Sequence, residues 1–83
     1  VLIYPNPTDG EITVTWKNKY NHRLNMTIYN IIGKVVKKVQ ADPDINEISI
    51  NLNGNSDGVY LFEMKDEKND VILNRSRIIK KRH

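Results

Sequence analysis

Apolar and polar residues alternate one by one along several stretches of the chain. In residues 11–16, Ile12, Val14 and Trp16 fall on one face and polar side chains fall on the other. A period of two is typical of a β-strand that buries one face and leaves the other in water. The same pattern recurs in residues 23–30, 46–52 and 58–65. The apolar positions of these three segments complete a predicted core: Leu24, Met26, Ile28, Ile48, Ile50, Leu52, Tyr60, Phe62 and Met64.

The last of these segments, residues 58–65, also has apolar side chains on its second face, which favours a central strand. Other stretches carry weaker strand signals. Residues 34–40 place valines between lysines, a pattern typical of a charged edge strand. Residues 1–4 form a short apolar run, and residues 71–81 are apolar at both ends and polar in the middle. The chain therefore has about seven candidate strands.

Turn-forming residues separate these segments. Pro5 and Pro7 lack the N–H that a central strand needs, and Asp9 followed by Gly10 favours a turn. Further turn signals lie at Gly33 and in residues 42–44, 53–58 and 66–70. Short strands with turns about every 8–12 residues predict an all-β fold, a small antiparallel β-sandwich.

Charge is distributed unevenly over the 83 residues. The net charge is +3, yet five basic and no acidic side chains lie in residues 75–83. The first 74 residues carry eight basic and ten acidic side chains, a balance of −2. A basic end of this kind is compatible with nucleic-acid phosphates, with a solvated strand end, or with a protein partner. Nucleic acid is the less favoured partner, because no aromatic residues are interleaved for base stacking.

The chain offers little that resembles catalytic or metal-binding chemistry. It has no cysteine, and its two histidines, His22 and His83, are isolated from each other. Residues 51–58 resemble a calcium loop only superficially, since Asp57 is the one carboxylate among them. We therefore expect no enzymatic activity, no metal and no cofactor.

Aromatic residues allow a second interpretation. Exposed aromatic side chains at Trp16, Tyr20 or Tyr29 would suit a carbohydrate-binding or adhesive accessory β-sandwich. Trp16 and Tyr60, however, continue apolar faces and are predicted to lie in the core. Carbohydrate is therefore a possible but less favoured ligand.

Four motifs resemble one known family in their order and spacing. Residues 4–10 (YPNPTDG) resemble the opening Y-P-N-P-x-x-G, and residues 28–36 are similar to a strand that enters a glycine turn and leaves as Lys-Val-Val. Residues 50–60 resemble an L-S-G…G-x-Y segment, with Asn55-Ser56-Asp57 where Leu-Pro-Ala is usual, and residues 77–81 match a basic–apolar–basic ending. Together these motifs resemble the C-terminal sorting domain of the type IX (Por) secretion system.

This resemblance implies a fold, a role and a set of residues. The fold would be an immunoglobulin-like β-sandwich, and the domain would be a non-catalytic signal on a longer secreted protein, of which residues 1–83 are one C-terminal domain. The cargo would pass through the periplasm, and the partners would be outer-membrane translocon and sortase-like proteins of Gram-negative bacteria. The cargo would then be secreted or anchored at the cell surface, with possible removal of the domain.

Residue roles follow from the same resemblance. We expect translocon recognition, through charge or through main-chain pairing with an edge strand, at Arg75, Arg77, Ile78, Ile79, Lys80 and Lys81. We expect turn-shaping roles at Tyr4, Pro5, Asn6, Pro7, Gly10, Gly33, Gly58 and Tyr60.

Overall fold

The computed structural model describes residues 1–17 and 19–82. These residues form seven β-strands and no helix. The strands are β1 (Leu2–Tyr4), β2 (Glu11–Thr15), β3 (Leu24–Tyr29), β4 (Val35–Ala41), β5 (Glu47–Asn51), β6 (Gly58–Asp66) and β7 (Val71–Lys80). The all-β prediction is confirmed.

The strands form two antiparallel sheets that face each other. One sheet has the order β1-β2-β5 and the other the order β4-β3-β6-β7. Every strand neighbour pairs in the antiparallel sense. The predicted positions of two strands are confirmed, because β6 lies between β3 and β7 and the lysine-rich β4 lies at an edge. This architecture is consistent with a small immunoglobulin-like sandwich.

The core lies between the sheets, on the faces that the alternation predicts. Of the predicted core residues, only Ile48 is half-buried rather than fully buried. The register pairs Ile12 with Ile50 and Met26 with both Val39 and Met64, so inward side chains lie side by side. The edge strands β4 and β7 add two residues that the alternation did not assign to the core, Ala41 and Ile78.

The strand register sorts the connecting segments into two ends of the sandwich. Tyr29 at the end of β3 pairs with Leu61 near the start of β6, and Gly58 pairs with Lys80. One end, called the motif end here, therefore consists of residues 5–10, 30–34, 52–58 and 79–82. The opposite end, called the distal end, consists of residues 19–23, 42–46 and 67–70. Segments from all four sequence motifs thus meet at one end.

Candidate functional site

The segment before β2 joins the two sheets at the motif end. The backbone N–H of Thr8 donates to the carbonyl oxygen of Ile79 (2.8 Å), and the N–H of Lys81 donates to the carbonyl oxygen of Thr8 (2.8 Å). This contact is a parallel bridge between Thr8 and Lys80. The first motif therefore adds one short stretch of strand to the outer edge of β7.

The side chain of Asn6 extends this coverage of β7. Its Nδ2 donates to the carbonyl oxygen of Arg77 (2.9 Å), and its Oδ1 accepts from the N–H of Ile79 (2.9 Å). One side-chain amide thus imitates a peptide group of a neighbouring strand. The flanking Pro5 and Pro7 are exposed, and both preceding peptide bonds are cis. Through the hydrogen bonds of Asn6 and Thr8, the outer edge of β7 is occupied from residue 77 to residue 81.

Thr8 also fixes the turn that follows it. Its hydroxyl donates to the carbonyl oxygen of Glu11 (2.7 Å) and accepts from the N–H of Gly10 (3.0 Å), and the residue is only 1% exposed. The carbonyl oxygen of Gly10 accepts from the N–H of Leu52 (2.8 Å). A Cβ at Gly10 would overlap the side chain of Asn53, so a larger residue here would displace that side chain where the first and third motifs meet.

A carboxylate in the third motif holds the end of β7. The Nζ of Lys80 lies 3.3 Å from Oδ1 of Asp57, and the N–H of Arg82 donates to Oδ2 of Asp57 (3.2 Å). The hydrogen bond from Arg82 is the main cause that lowers the pKa of the Asp57 carboxyl below its usual value, and the hydrogen bond from Lys80 lowers it further. The side chain of Lys80 is 5% exposed, so its charge serves this internal pair.

Two further turns at the motif end depend on single side chains. Asn30 accepts through Oδ1 from the N–H groups of Ile32 (3.1 Å) and Lys34 (2.9 Å), which closes the β3–β4 turn. Gly33 in this turn has φ of 87°, a conformation that favours glycine. The hydroxyl of the buried Tyr60 donates to the carbonyl oxygen of Ser56 and ties the third motif to β6. Gly58 begins β6, and Tyr4 is exposed at the end of β1.

The structure separates the expected recognition residues into two groups. Ile78 and Lys80 face inward and are buried, so they anchor β7. The side chains that face outward are Arg75, Arg77, Ile79 and Lys81. Among them, Arg75 pairs through Nε with Oε2 of Glu63 at 3.1 Å.

Three residues that shape this end were not singled out by the sequence. They are Thr8, Asn30 and Asp57, each of which fixes a turn or a strand end through its side-chain oxygen. Thr8 stands at an unspecified position of the first motif and Asn30 precedes the glycine of the second, so the motifs assigned neither residue a role. Asp57 is the one carboxylate in residues 51–58, and that isolation was the available signal.

The side chains that suggested other functions are mostly engaged elsewhere. Trp16 is 5% exposed and packs in the core, so it cannot form the exposed aromatic platform that a sugar-binding module needs. In the loop that resembles a calcium site, Asn51 accepts through Oδ1 from the N–H of Asn53 (2.7 Å), and Asn55 donates to the carbonyl oxygen of Leu52 (3.2 Å). These oxygen and nitrogen atoms serve the turn itself.

Two further kinds of functional feature, a metal-binding cluster and a membrane-spanning helix, are absent from the described residues. Within residues 1–17 and 19–82, no group of three or more His, Cys, Asp or Glu side chains is arranged to hold a metal ion. The same part of the chain has no helix that is long and apolar enough to cross a membrane. His22 is half-buried, and His83 lies outside the described residues.

Comparison with known proteins identifies the family. The family model of the secretion system C-terminal sorting domain matches residues 2–81, which is almost the whole chain. No curated protein and no solved structure matches the chain. The match covers the four motifs that converge at the motif end, and it confirms the resemblance seen in the sequence. The chain therefore belongs to the secretion system C-terminal sorting domain family, whose members are sorting signals for type IX secretion through the outer membrane.

Proposed function

We propose that residues 1–83 are a single sorting domain at the C-terminal end of a longer secreted protein. In this proposal the outer-membrane translocon recognises the outward side chains of β7 and of the residue that follows it: Arg75, Arg77, Ile79 and Lys81. The cargo reaches the translocon from the periplasm. Sortase-like proteins then remove the domain and anchor the cargo at the cell surface. The domain itself catalyses none of these steps.

The occupied outer edge of β7 is the observation that supports this choice of residues. Asn6 and Thr8 already bind the backbone groups of Arg77, Ile79 and Lys81. Pairing with an added strand at this position would require those hydrogen bonds to break first. Side chains that face outward need no such exchange. Recognition by side chains, with charge steering from the exposed cations, is therefore the less costly mode.

An export assay with charge reversal tests this function. Residues 1–83 are fused to a fluorescent protein that carries a periplasmic signal, in a bacterium with the type IX machinery. We expect the wild-type fusion to reach the surface or the medium, and the Arg77→Glu/Lys81→Glu fusion to remain in the periplasm. A substitution tests recognition separately from folding. Truncation after residue 76 would also remove the buried Ile78 and so disturb the core.

A matched variant controls for net charge. Lys19→Glu/Lys38→Glu makes the same charge change with two exposed lysines outside the motif end, and this fusion should be exported normally. A wild-type fusion that stays in the periplasm while folded would contradict the sorting function. Normal export of the Arg77→Glu/Lys81→Glu fusion would contradict the choice of recognition residues and leave the sorting function standing.

A further inference from the structure

Apolar side chains are concentrated on the outer face of the four-stranded sheet, near the motif end. The register pairs Val59 with Ile79 and, one row further along, Leu61 with Tyr29. Tyr29 in turn pairs with Val35 on the edge strand β4. Val35, Val59, Leu61 and Ile79 are all exposed, although each is a large hydrophobic residue. Cross-strand neighbours on one face lie in contact range, so these side chains form one continuous surface.

The β3–β4 turn adds the two most exposed large hydrophobic residues among those described. Ile31 is 75% exposed and Ile32 is 82% exposed. Asn30 closes the turn beneath them by accepting from backbone N–H groups, so the turn does not require either side chain to pack on the core. The turn begins directly after Tyr29, which pairs with Leu61, so Ile31 and Ile32 lie at the same end of the sheet as Val59. The turn therefore extends the apolar surface.

The rim of this surface is cationic. Arg77 pairs with Leu61 across β6 and β7, and Lys34 follows the turn. The four strands of the sheet carry only two carboxylates, Glu63 and Asp66. Glu63 is paired with Arg75, while Asp66 lies at the distal end. A partner on this surface would thus meet positive charge that has little local compensation.

We infer that these residues are a docking surface for a protein partner that presents apolar side chains next to carboxylates. The surface, called the apolar patch here, consists of Ile31, Ile32, Val35, Val59, Leu61 and Ile79. Exposed hydrophobic residues are ordinary when scattered, but a contiguous group with a polar rim marks an interaction site. This inference rests on the proposed function, because the partner would be a component of the secretion machinery. It extends recognition from β7 to the β3–β4 turn.

The apolar and the cationic side chains contribute to binding in different ways. The apolar centre gives affinity, because its water is released when a complementary surface covers it. Arg77 and Lys34 at the rim steer an acidic partner and disfavour a basic one. Because Arg77 belongs to the outward row of β7 and borders the apolar patch at Leu61, one partner covers the second and fourth motifs together.

The export assay tests the apolar patch with a double substitution at its most exposed point. Ile31→Ser/Ile32→Ser should leave the thermal unfolding midpoint nearly unchanged, because both side chains are already in water. Export should fall about tenfold or more. The matched control is Val71→Ser/Ile72→Ser, which removes an exposed apolar pair from the same sheet at the distal end. Export of that control should stay within about twofold of wild type.

Photo-crosslinking in exporting cells supplies a second readout. A benzoyl-phenylalanine at position 32 should crosslink to a component of the secretion machinery, and the same probe at position 72 should not. Two substitutions test whether the partner is acidic. The Arg77→Lys variant should still bind the partner, and the Arg77→Glu variant should not. Normal export of the Ile31→Ser/Ile32→Ser fusion, or equal crosslinking from both positions, would overturn the inference.

Two other occupants are separated by measurements on the purified domain. Flotation with vesicles of phosphatidylethanolamine and phosphatidylglycerol tests a lipid surface, and sedimentation equilibrium tests a second copy of the chain. Binding or dimerisation that is lost in Ile31→Ser/Ile32→Ser would assign the apolar patch to that occupant and overturn ours. If the wild-type fusion is not exported, the proposed function fails. If the wild-type fusion is exported and the Ile31→Ser/Ile32→Ser fusion is exported equally well, the docking inference fails and the proposed function stands.

Discussion

The two ends of the sandwich hold their chain segments in different ways. At the motif end, Asn6 binds backbone groups of β7 that are 71 and 73 residues away in sequence. At the distal end, Asp66 binds its own turn, accepting from the N–H of Lys68 at 2.9 Å, and Arg23 forms an exposed ion pair with Asp42 at 3.4 Å. The distal end also has a long-range hydrogen bond, from the N–H of Glu67 to the carbonyl oxygen of Arg23 (3.0 Å), but that bond joins backbone groups. Side chains therefore make long-range bonds at the motif end, whereas at the distal end they mainly serve local turns and surface charge.

This difference explains where individual residues matter. An exposed ion pair contributes about 0–1 kcal/mol, because water screens both charges and the side chains lose entropy. A buried hydroxyl with two partners contributes more, since removing it leaves other buried groups without a hydrogen bond. The motif end therefore depends on particular side chains, whereas the distal end tolerates change.

The largest expected effect is that of Thr8→Val at the motif end. Valine keeps the shape but removes the hydroxyl that bonds Glu11 and Gly10, and the site is buried. We expect a loss of about 2–3 kcal/mol in the free energy of unfolding, measured with urea. Thr27→Val, on the outer face of β3, is the matched control and should change stability by less than about 0.5 kcal/mol. Equal effects of the two substitutions would show that the buried hydroxyl of Thr8 contributes no more to stability than an outward-facing one.

A smaller effect is expected from the acid titration of Asp57. Its pKa is lowered in the folded state, so its ionised form favours the folded strand end above the usual pKa, and this contribution is lost as the pH falls through the lowered pKa. Below pH 3.8, the usual pKa of an aspartate side chain, backbone NMR signals of residues 80–82 should therefore shift as Asp57 is protonated. Asp57→Asn should abolish that titration.

Asp66 provides the distal counterpart. Burial alone would raise the pKa of Asp66, but hydrogen bonds from Lys68 and Asn69 outweigh it and the pKa is lowered. Its titration should move the signals of residues 67–70 and leave those of residues 80–82 in place. Coupled shifts at both ends would show that the ends are not independent.

The smallest effect is expected from Arg23→Ala at the distal end. The substitution removes the exposed pair with Asp42, and we expect a change of no more than about 0.5 kcal/mol in the free energy of unfolding. The change should shrink further in 1 M salt, because exposed charges are screened. A loss comparable to that of Thr8→Val would show that the distal end is not the tolerant one.

The sequence predicted the strands well because alternation reports burial directly. Segments with one apolar face, such as residues 11–16 and 23–30, were correctly assigned as strands, and Trp16 was correctly placed in the core. β7 was harder to interpret, because Asn74 and Ser76 occupy half-buried inward positions and interrupt the pattern before Ile78. The alternation therefore did not reveal that Ile78 is buried.

The site was less predictable than the fold, for a physical reason. The bonds that shape the motif end join residues far apart in sequence, such as Thr8 with Ile79 and Asp57 with Lys80. No local pattern encodes such pairs. The resemblance marked the segments that meet, but only the geometry distinguishes the inward Lys80 from the outward Arg77 and Lys81.

The Asn6 contact with β7 can form only late in the synthesis of the domain. Its two partners, Arg77 and Ile79, leave the ribosome more than seventy residues after Asn6 itself. Closing so long a loop is slow compared with forming local hairpins. The finished shape of this end thus exists only in chains that have been translated through residue 81 and have folded. A receptor that reads that shape would bind such chains and pass over any that stop before it.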